Sequence, residues 1–317
     1  MGRFAAGNAP EADAIVCEAI AGVGADIEAL RIPHLAGVVL GGGYGRGEGG
    51  AMESSAEPKW RLSNDLDFFA VTKDGASGNE IRAIASALEP VSKKWTEMLG
   101  IDVDFIVRTP WRIRHDEERL MIQELVHGYV DVAGEKGEAL FANVARRTPD
   151  ALPWMEAARL MMNRGVGLLL AMERGGSDGF VTRNINKCIL GAGDAMLIAR
   201  HGYEWRAEAR RDALGDGLYA RALEWKFRPG EEGVCDIETA RGAWLGALGE
   251  IRSESNLAAL RRTARNAARW VVRRKSLGAL ATFGLDPVVR VLAGVTDCLR
   301  ARKRMSTSLR RDWEVFN

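Results

Sequence analysis

Two Asp-x-Asp pairs, with a run of glycines upstream of them, are the residues of this 317-residue chain whose types and spacing could do chemistry. Asp65-Leu66-Asp67 opens the apolar run through Val71, and Asp102-Val103-Asp104 precedes Phe105-Ile106. Both stretches are rich in β-forming residues and read as short buried strands. Side chains alternate along a strand, so the two carboxylates of each pair project from one face about 7 Å apart. If the two strands are neighbours, three or four carboxylates converge. Such a cluster repels itself and raises its own proton affinities unless a cation neutralises it. A hard divalent cation held through oxygens fits that requirement. Upstream, Gly41-Gly-Gly-Tyr-Gly-Arg-Gly-Glu-Gly-Gly50 follows the apolar Val38–Leu40 run. Glycines there let backbone N–H groups approach an anion without Cβ interference. A phosphate loop beside carboxylates that hold Mg²⁺ points to phosphoryl or nucleotidyl transfer.

In order and type, Gly42-Gly43-Tyr44-Gly45-Arg46-Gly47-Glu48, Asp65-Leu66-Asp67 and Asp104 resemble the DNA polymerase β-like nucleotidyltransferase superfamily, among them the bacterial minimal and aminoglycoside-modifying members with a helical C-terminal domain. The match covers the first third of the chain. The resemblance implies that Asp65, Asp67 and Asp104 are catalytic and hold two Mg²⁺ ions. It implies that Gly42, Gly43 and Arg46 bind the nucleotide, with ATP or another NTP as substrate. A hydroxyl of the acceptor then attacks the α-phosphorus, and pyrophosphate leaves. Asp104 is preferred to Asp102 because the third acid of the pattern directly precedes the apolar continuation, here Phe105-Ile106-Val107. Helical C-terminal domains of such enzymes close polar and basic residues over the triphosphate. That implies roles for Asn163, Arg164 and Lys187, with the active cleft between two domains. Lys187→Ala would then weaken nucleotide binding. The acceptor, whether small molecule, protein, RNA or polysaccharide precursor, is not chosen by any of these residues. One departure is the length of the 49–62 segment, which exceeds what most relatives need.

Three other readings use the same residues. Gly45-Arg-Gly-Glu-Gly-Gly50 fits GxGxxG with Asp65 twenty positions on, but a dinucleotide fingerprint needs a helix opening from the loop, and Gly49-Gly50, Ser54, Ser55 and Pro58 oppose one. The GxxxxGK[ST] phosphate loop is absent. A sugar-nucleotide glycosyltransferase needs a larger α/β unit before its Asp-x-Asp than the 64 residues available here. A catalytically silent nucleotide-binding or regulatory protein of the same fold is the alternative from another class, and filled acidic positions oppose it.

Composition is that of a globular protein, 47% hydrophobic and 27% charged, with a formal net charge of +1. From Arg252 onward fifteen Lys and Arg face five acids, a surplus of ten that suits a polyanion such as RNA as well as a solvated helix face. Cys17, Cys188, Cys235 and Cys298 are scattered and form no zinc or disulfide pattern. With no long apolar run and with Glu11 and Asp13 near the start, the expectation is a cytoplasmic protein that does not span a membrane.

The elements that must position these residues read as an α/β (α+β) arrangement. A small mixed sheet domain over 1–148 precedes an α-helical domain over 149–317. Helical periodicity predicts helices at Ala12–Leu30, Gly78–Leu99 and Trp111–His127, with a strand at Tyr129–Ala133. It predicts further helices at Pro153–Glu173, Val181–His201, Trp205–Lys226, Ile237–Ser253, Asn256–Lys275 and Pro287–Lys303. Along the second of these, Asn184, Lys187, Gly191 and Asp194 form a polar stripe opposite Ile185, Ile189, Ala192 and Met196. A crossover helix between the two Asp-bearing strands lets them lie in one sheet. His115, His127 and His201 have no partner at ligand spacing, and tryptophans such as Trp60 read as core or interface material.

Overall fold

In the computed structural model the described residues are 3–7, 9–53, 60–176, 178–230, 232–251 and 287–315. The predicted helix at Asn256–Lys275 and most of the basic C-terminal region lie outside them. The chain divides into two compact units. One comprises Met1–Arg147 together with Lys226–Pro229; the other comprises Thr148–Trp225 and Gly230–Asn317. The first is mixed α/β around a four-stranded sheet, and the second is largely helical.

In the first unit, helix α1 (Pro10–Leu30) precedes strand β1 (Leu35–Leu40), the single turn α2 (Gly42–Gly45) and a small antiparallel pair, β2 (Ala51–Glu53) with β3 (Trp60–Leu62). Strand β4 (Leu66–Thr72), helix α3 (Gly78–Leu99) and strand β5 (Val103–Arg108) form a crossover, and β4 and β5 are parallel neighbours. Helices α4 (Pro110–His115) and α5 (Leu120–His127), strand β6 (Val130–Gly134) and the turn α6 (Gly137–Leu140) complete the unit. The sheet order is β5-β4-β1-β6, with β1 antiparallel to both of its neighbours.

Alternation along the strands sorts the core into two sides. Val38, Leu40, Phe68 and Val103 meet Val16, Val23 and Ile27 of α1 and Ile84, Leu88 and Trp95 of α3. Val39, Phe69 and Val71 meet Ile113 of α4 and Ile122, Leu125 and Val126 of α5. Helix α3 starts where Ser77 accepts the Glu80 N–H and Glu80 accepts the Ser77 N–H, a reciprocal cap, and it stops at Gly100.

The continuous helix expected over Trp111–His127 is two helices. From α5 the buried Gln123 side chain donates to the Glu117 carbonyl at 2.5 Å and to Ala145 O at 2.8 Å, while its own oxygen accepts the Arg147 N–H. A side chain from the following helix thus satisfies a carbonyl that the break leaves behind.

In the helical unit, α7 (Trp154–Arg174) and α8 (Gly179–Ala199) are followed by α9 (Ala207–Leu214), α10 (Gly217–Phe227, whose last two residues count with the first unit), α11 (Ile237–Ile251), α12 (Pro287–Ala301) and α13 (Thr307–Glu314). The expected Trp205–Lys226 helix is divided at Gly215, which is left-handed (φ 64°), and Asp216 caps the next helix through the Leu218 and Tyr219 N–H groups. Among the described residues no helix is long and apolar enough to cross a membrane.

Candidate functional site

The parallel register of β4 and β5 sets Asp67 directly opposite Asp104. Both belong to the sheet face that carries Phe69 and Ile106, and the apolar cover from α4 and α5 ends before reaching them. Asp67 is half-buried and Asp104 is exposed. Asp65 stands just before β4, half-buried, between Asn64 and Leu66, whose N–H donates to the Asp102 carbonyl at 2.9 Å. The Asp104 carboxyl is pushed above the usual carboxylate range, first by lost hydration, then by the charges of Asp102 and Asp65. Asp102 and Asp65 are therefore within electrostatic reach of Asp104, and Asp104 is the one in register with Asp67.

The glycine turn abuts this edge from β1. Gly41 N–H donates to the Asp67 carbonyl at 2.8 Å, which fixes the start of the turn to β4. Gly42 adopts φ 61°, and a Cβ placed on it would collide with the Asp67 carboxylate. That position demands glycine for conformation and for space at once. The first N–H groups of the turn, those of Gly42, Gly43 and Tyr44, have no acceptor inside it, and Gly42 and Gly43 are only half-buried. Gly45 and Gly49 serve close packing. A Cβ on Gly45 would lie 2.6 Å from the Leu40 carbonyl oxygen, and one on Gly49 would enter the Tyr44 ring. The loop glycine N–H groups not bonded among the described residues are thus those of Gly42 and Gly43, a narrower stretch than the sequence suggests for an anion. Gly49-Gly50 runs into strand β2, so the helix that a dinucleotide fingerprint needs is absent there.

Residues behind the turn hold its shape. Arg46, expected to meet the nucleotide, is turned to two acids: its Nε lies 3.5 Å from Glu48 and its Nη1 lies 3.3 Å from Glu124 of α5. Glu48 is buried and lies 3.8 Å from Lys226 Nζ, so two cations surround one carboxylate that burial would otherwise disfavour. The segment before α1 forms a bridge from Ala5 to Gly49. Asp13 secures that segment by accepting the N–H groups of Arg3, Phe4 and Ala5 at 2.6, 2.9 and 2.8 Å.

Tyr44, wholly buried, is the residue that spacing did not single out. Its hydroxyl donates to Gly50 O at 2.6 Å and accepts from Ser63 N and Asn64 N at 3.2 and 3.4 Å. The signal available in the sequence is an aromatic residue inside a glycine run that ends in Gly49-Gly50, two positions with no side chain to obstruct a ring.

Asn163, Arg164 and Lys187 belong to the helical unit, each half-buried. Asn163 Oδ1 accepts the Trp313 Nε1–H at 2.9 Å. A Cβ on Gly191 would collide with the Arg164 side chain, which places that arginine along α8. The expected polar stripe on α8 is largely internal to the unit. Asn184 donates to Phe180 O at 2.9 Å, and Asp194 lies 3.1 Å from Arg210 Nε and accepts the Tyr219 hydroxyl at 2.7 Å. The physical reason is that α8 packs between α7 and α11, so even its polar positions meet protein.

The fit of a cation can be judged from the donors. They are all carboxylate oxygens, suited to Mg²⁺ rather than to a soft metal. Among the described residues no three His, Cys, Asp or Glu side chains are gathered into a ready-made metal cage. Mg²⁺ does not require one, since it is commonly held by one or two carboxylates together with substrate phosphates and water. The Asp67–Asp104 pair meets that lesser requirement. Comparison of the chain with protein-family models, with curated proteins and with solved structures finds no match to any of them.

Proposed function

We propose that this protein is a Mg²⁺-dependent nucleotidyltransferase that moves a nucleoside monophosphate from an NTP, with ATP the expected donor, to a hydroxyl of its acceptor. The observation that carries the reading is the register of Asp67 opposite Asp104 with the Asp67 carboxylate lying against Gly42. Backbone N–H donors for phosphate and a site for cations are then side by side, as transfer from a triphosphate requires. Asp65, Asp67 and Asp104 would hold Mg²⁺, which supplies charge neutralisation and acidifies a bound hydroxyl.

The Gly42 and Gly43 N–H groups receive phosphate oxygens of the donor. Arg46 and Glu48 keep the turn in shape from behind. A carboxylate oxygen of Asp104 takes the acceptor's hydroxyl proton while the hydroxyl oxygen attacks the α-phosphorus. The new bond is O–Pα, the bond that breaks joins Pα to the bridging oxygen of the β-phosphate, and pyrophosphate carries that electron pair away.

Titration calorimetry of ATP with and without Mg²⁺, repeated with Asp67→Asn, tests the reading. Mg²⁺ should tighten ATP binding in the wild type and do so at least about tenfold less in the variant, the loss typical of a removed ligand or its support. Pyrophosphate release in the presence of an acceptor hydroxyl should follow the same order. Equal ATP affinity with and without Mg²⁺ would overturn the proposal, and tight Mg²⁺-dependent binding without turnover on any acceptor would leave a nucleotide-binding protein.

A further inference from the structure

Asp65 lies outside the β4 ladder, so sheet hydrogen bonds do not fix it by themselves. Its two chain neighbours are tied down on either side. Leu66 is held by the Asp102 carbonyl at 2.9 Å. On the other side Asn64 is held from the glycine loop: its N–H donates to the Tyr44 hydroxyl at 3.4 Å, and its Oδ1 accepts the Gly50 N–H at 2.6 Å. Ser63 adds its N–H to the same hydroxyl and to Gly50 O, at 3.2 and 3.1 Å. With Gly41 N–H bound to the Asp67 carbonyl, the loop 41–50 and the segment 63–67 are tied at both ends, and Asp65 lies between the ties.

We infer that Tyr44 is a positioning residue of the carboxylate site, whose hydroxyl fixes Asp65 relative to the Gly42-Gly43 turn. A phenylalanine would fill the same volume, so packing alone does not account for a hydroxyl at a fully buried position. A buried hydroxyl is tolerated where it is hydrogen-bonded, and here it has one acceptor and two donors. Burial, the first cause, together with the charge of Asp65, pushes the phenol up to about 12. Tyr44 therefore keeps its proton, and keeps donating to Gly50, across the working pH range.

The inference rests on the proposed nucleotidyl transfer, and Tyr44→Phe tests the two separately. In Tyr44→Phe the protein should melt cooperatively and bind ATP without Mg²⁺ as the wild type does. The further tightening that Mg²⁺ confers should fall about 10- to 100-fold, the usual effect of losing a group that orients a metal ligand. Asn64→Ala opens the same tie from the other side, should give the same loss, and decides the matter if Tyr44→Phe does not fold. The double variant should lose no more than the worse of the two single ones, because both break one tie. If Mg²⁺ tightens ATP binding in the wild type and Asp67→Asn abolishes this, while the folded Tyr44→Phe and Asn64→Ala variants keep it in full, the positioning role is wrong and the transferase reading stands. If Mg²⁺ has no effect on the wild type, the transferase reading fails and the inference falls with it.

Discussion

At Gly42 a single residue answers two demands, a positive φ and the nearness of the Asp67 carboxylate. Gly42→Ala should cost about 1–3 kcal/mol through backbone strain and should also displace Asp67. Gly75 supplies the control, because it has φ 76° but nothing within 4 Å of its Cβ position. Gly75→Ala should cost about 1 kcal/mol by the same strain and leave Mg²⁺-dependent ATP binding unchanged. Calorimetric melting beside ATP titration separates the two effects. Asp104 permits a prediction on pH. Its folded-state proton affinity is raised, so the folded chain binds more protons than the unfolded chain, and stability declines as pH rises through the carboxylate range. Asp104→Asn removes that decline. In buffer free of divalent cations the variant should match the wild type at low pH and exceed it near neutrality, by no more than about 1 kcal/mol because the group is solvent-exposed. A variant less stable than the wild type near neutrality would contradict the assigned repulsion. Removing the same carboxylate should weaken Mg²⁺-dependent binding, so stability and site function move in opposite directions.

Among elements, the segment before α1 is the one whose contribution is least visible from its composition. Residues 3–6 run beside Gly49: Gly49 N–H donates to Phe4 O at 3.0 Å, and Ala6 N–H donates to Gly49 O at 2.9 Å. Asp13 collects three N–H groups from this segment, and hydrogen bonds to a charged acceptor are the stronger kind. Asp13→Ala should therefore destabilise by about 1–3 kcal/mol, and hydrogen exchange at the Gly49 amide should quicken more than exchange in β4. Unchanged protection at Gly49 would show that the segment does not support the loop. The helices carry a different lesson. Gly78–Leu99 agrees with its predicted span because its apolar period, its Ser77 cap and Gly100 are all local signals. The break between α4 and α5 escaped the period because its cause, Gln123 reaching back to Glu117, is a contact made after folding. The division at Gly215-Asp216 could be read locally, since glycine stops one helix and aspartate caps the next.

For the molecule as a whole, the first unit includes a piece that comes from far along the chain. Lys226 pairs with the buried Glu48 at 3.8 Å, and Arg228 donates to Gly7 O at 2.7 Å. A fragment of residues 1–147 should therefore be less stable than the same unit within the full chain, by about 1–3 kcal/mol if the buried carboxylate loses one of its two cations. Glu48→Gln should recover part of that deficit in the fragment, because a neutral amide is less costly to leave under-paired. Denaturant unfolding of the fragment, with and without that substitution, checks both. The sequence by itself determined the elements and the chemistry available to them: alternation put Asp67 on the face of Phe69, helical periods marked α1 and α3, and glycines marked the turn. These follow from bonding and periodicity within a few residues. Only the tertiary structure decided that β4 and β5 are parallel neighbours with Asp67 opposite Asp104, that Arg46 serves Glu48 and Glu124, and that Gly45 and Gly49 make room for backbone and for Tyr44. Strand order, register and the filling of space depend on which distant surfaces meet, and no local period records that.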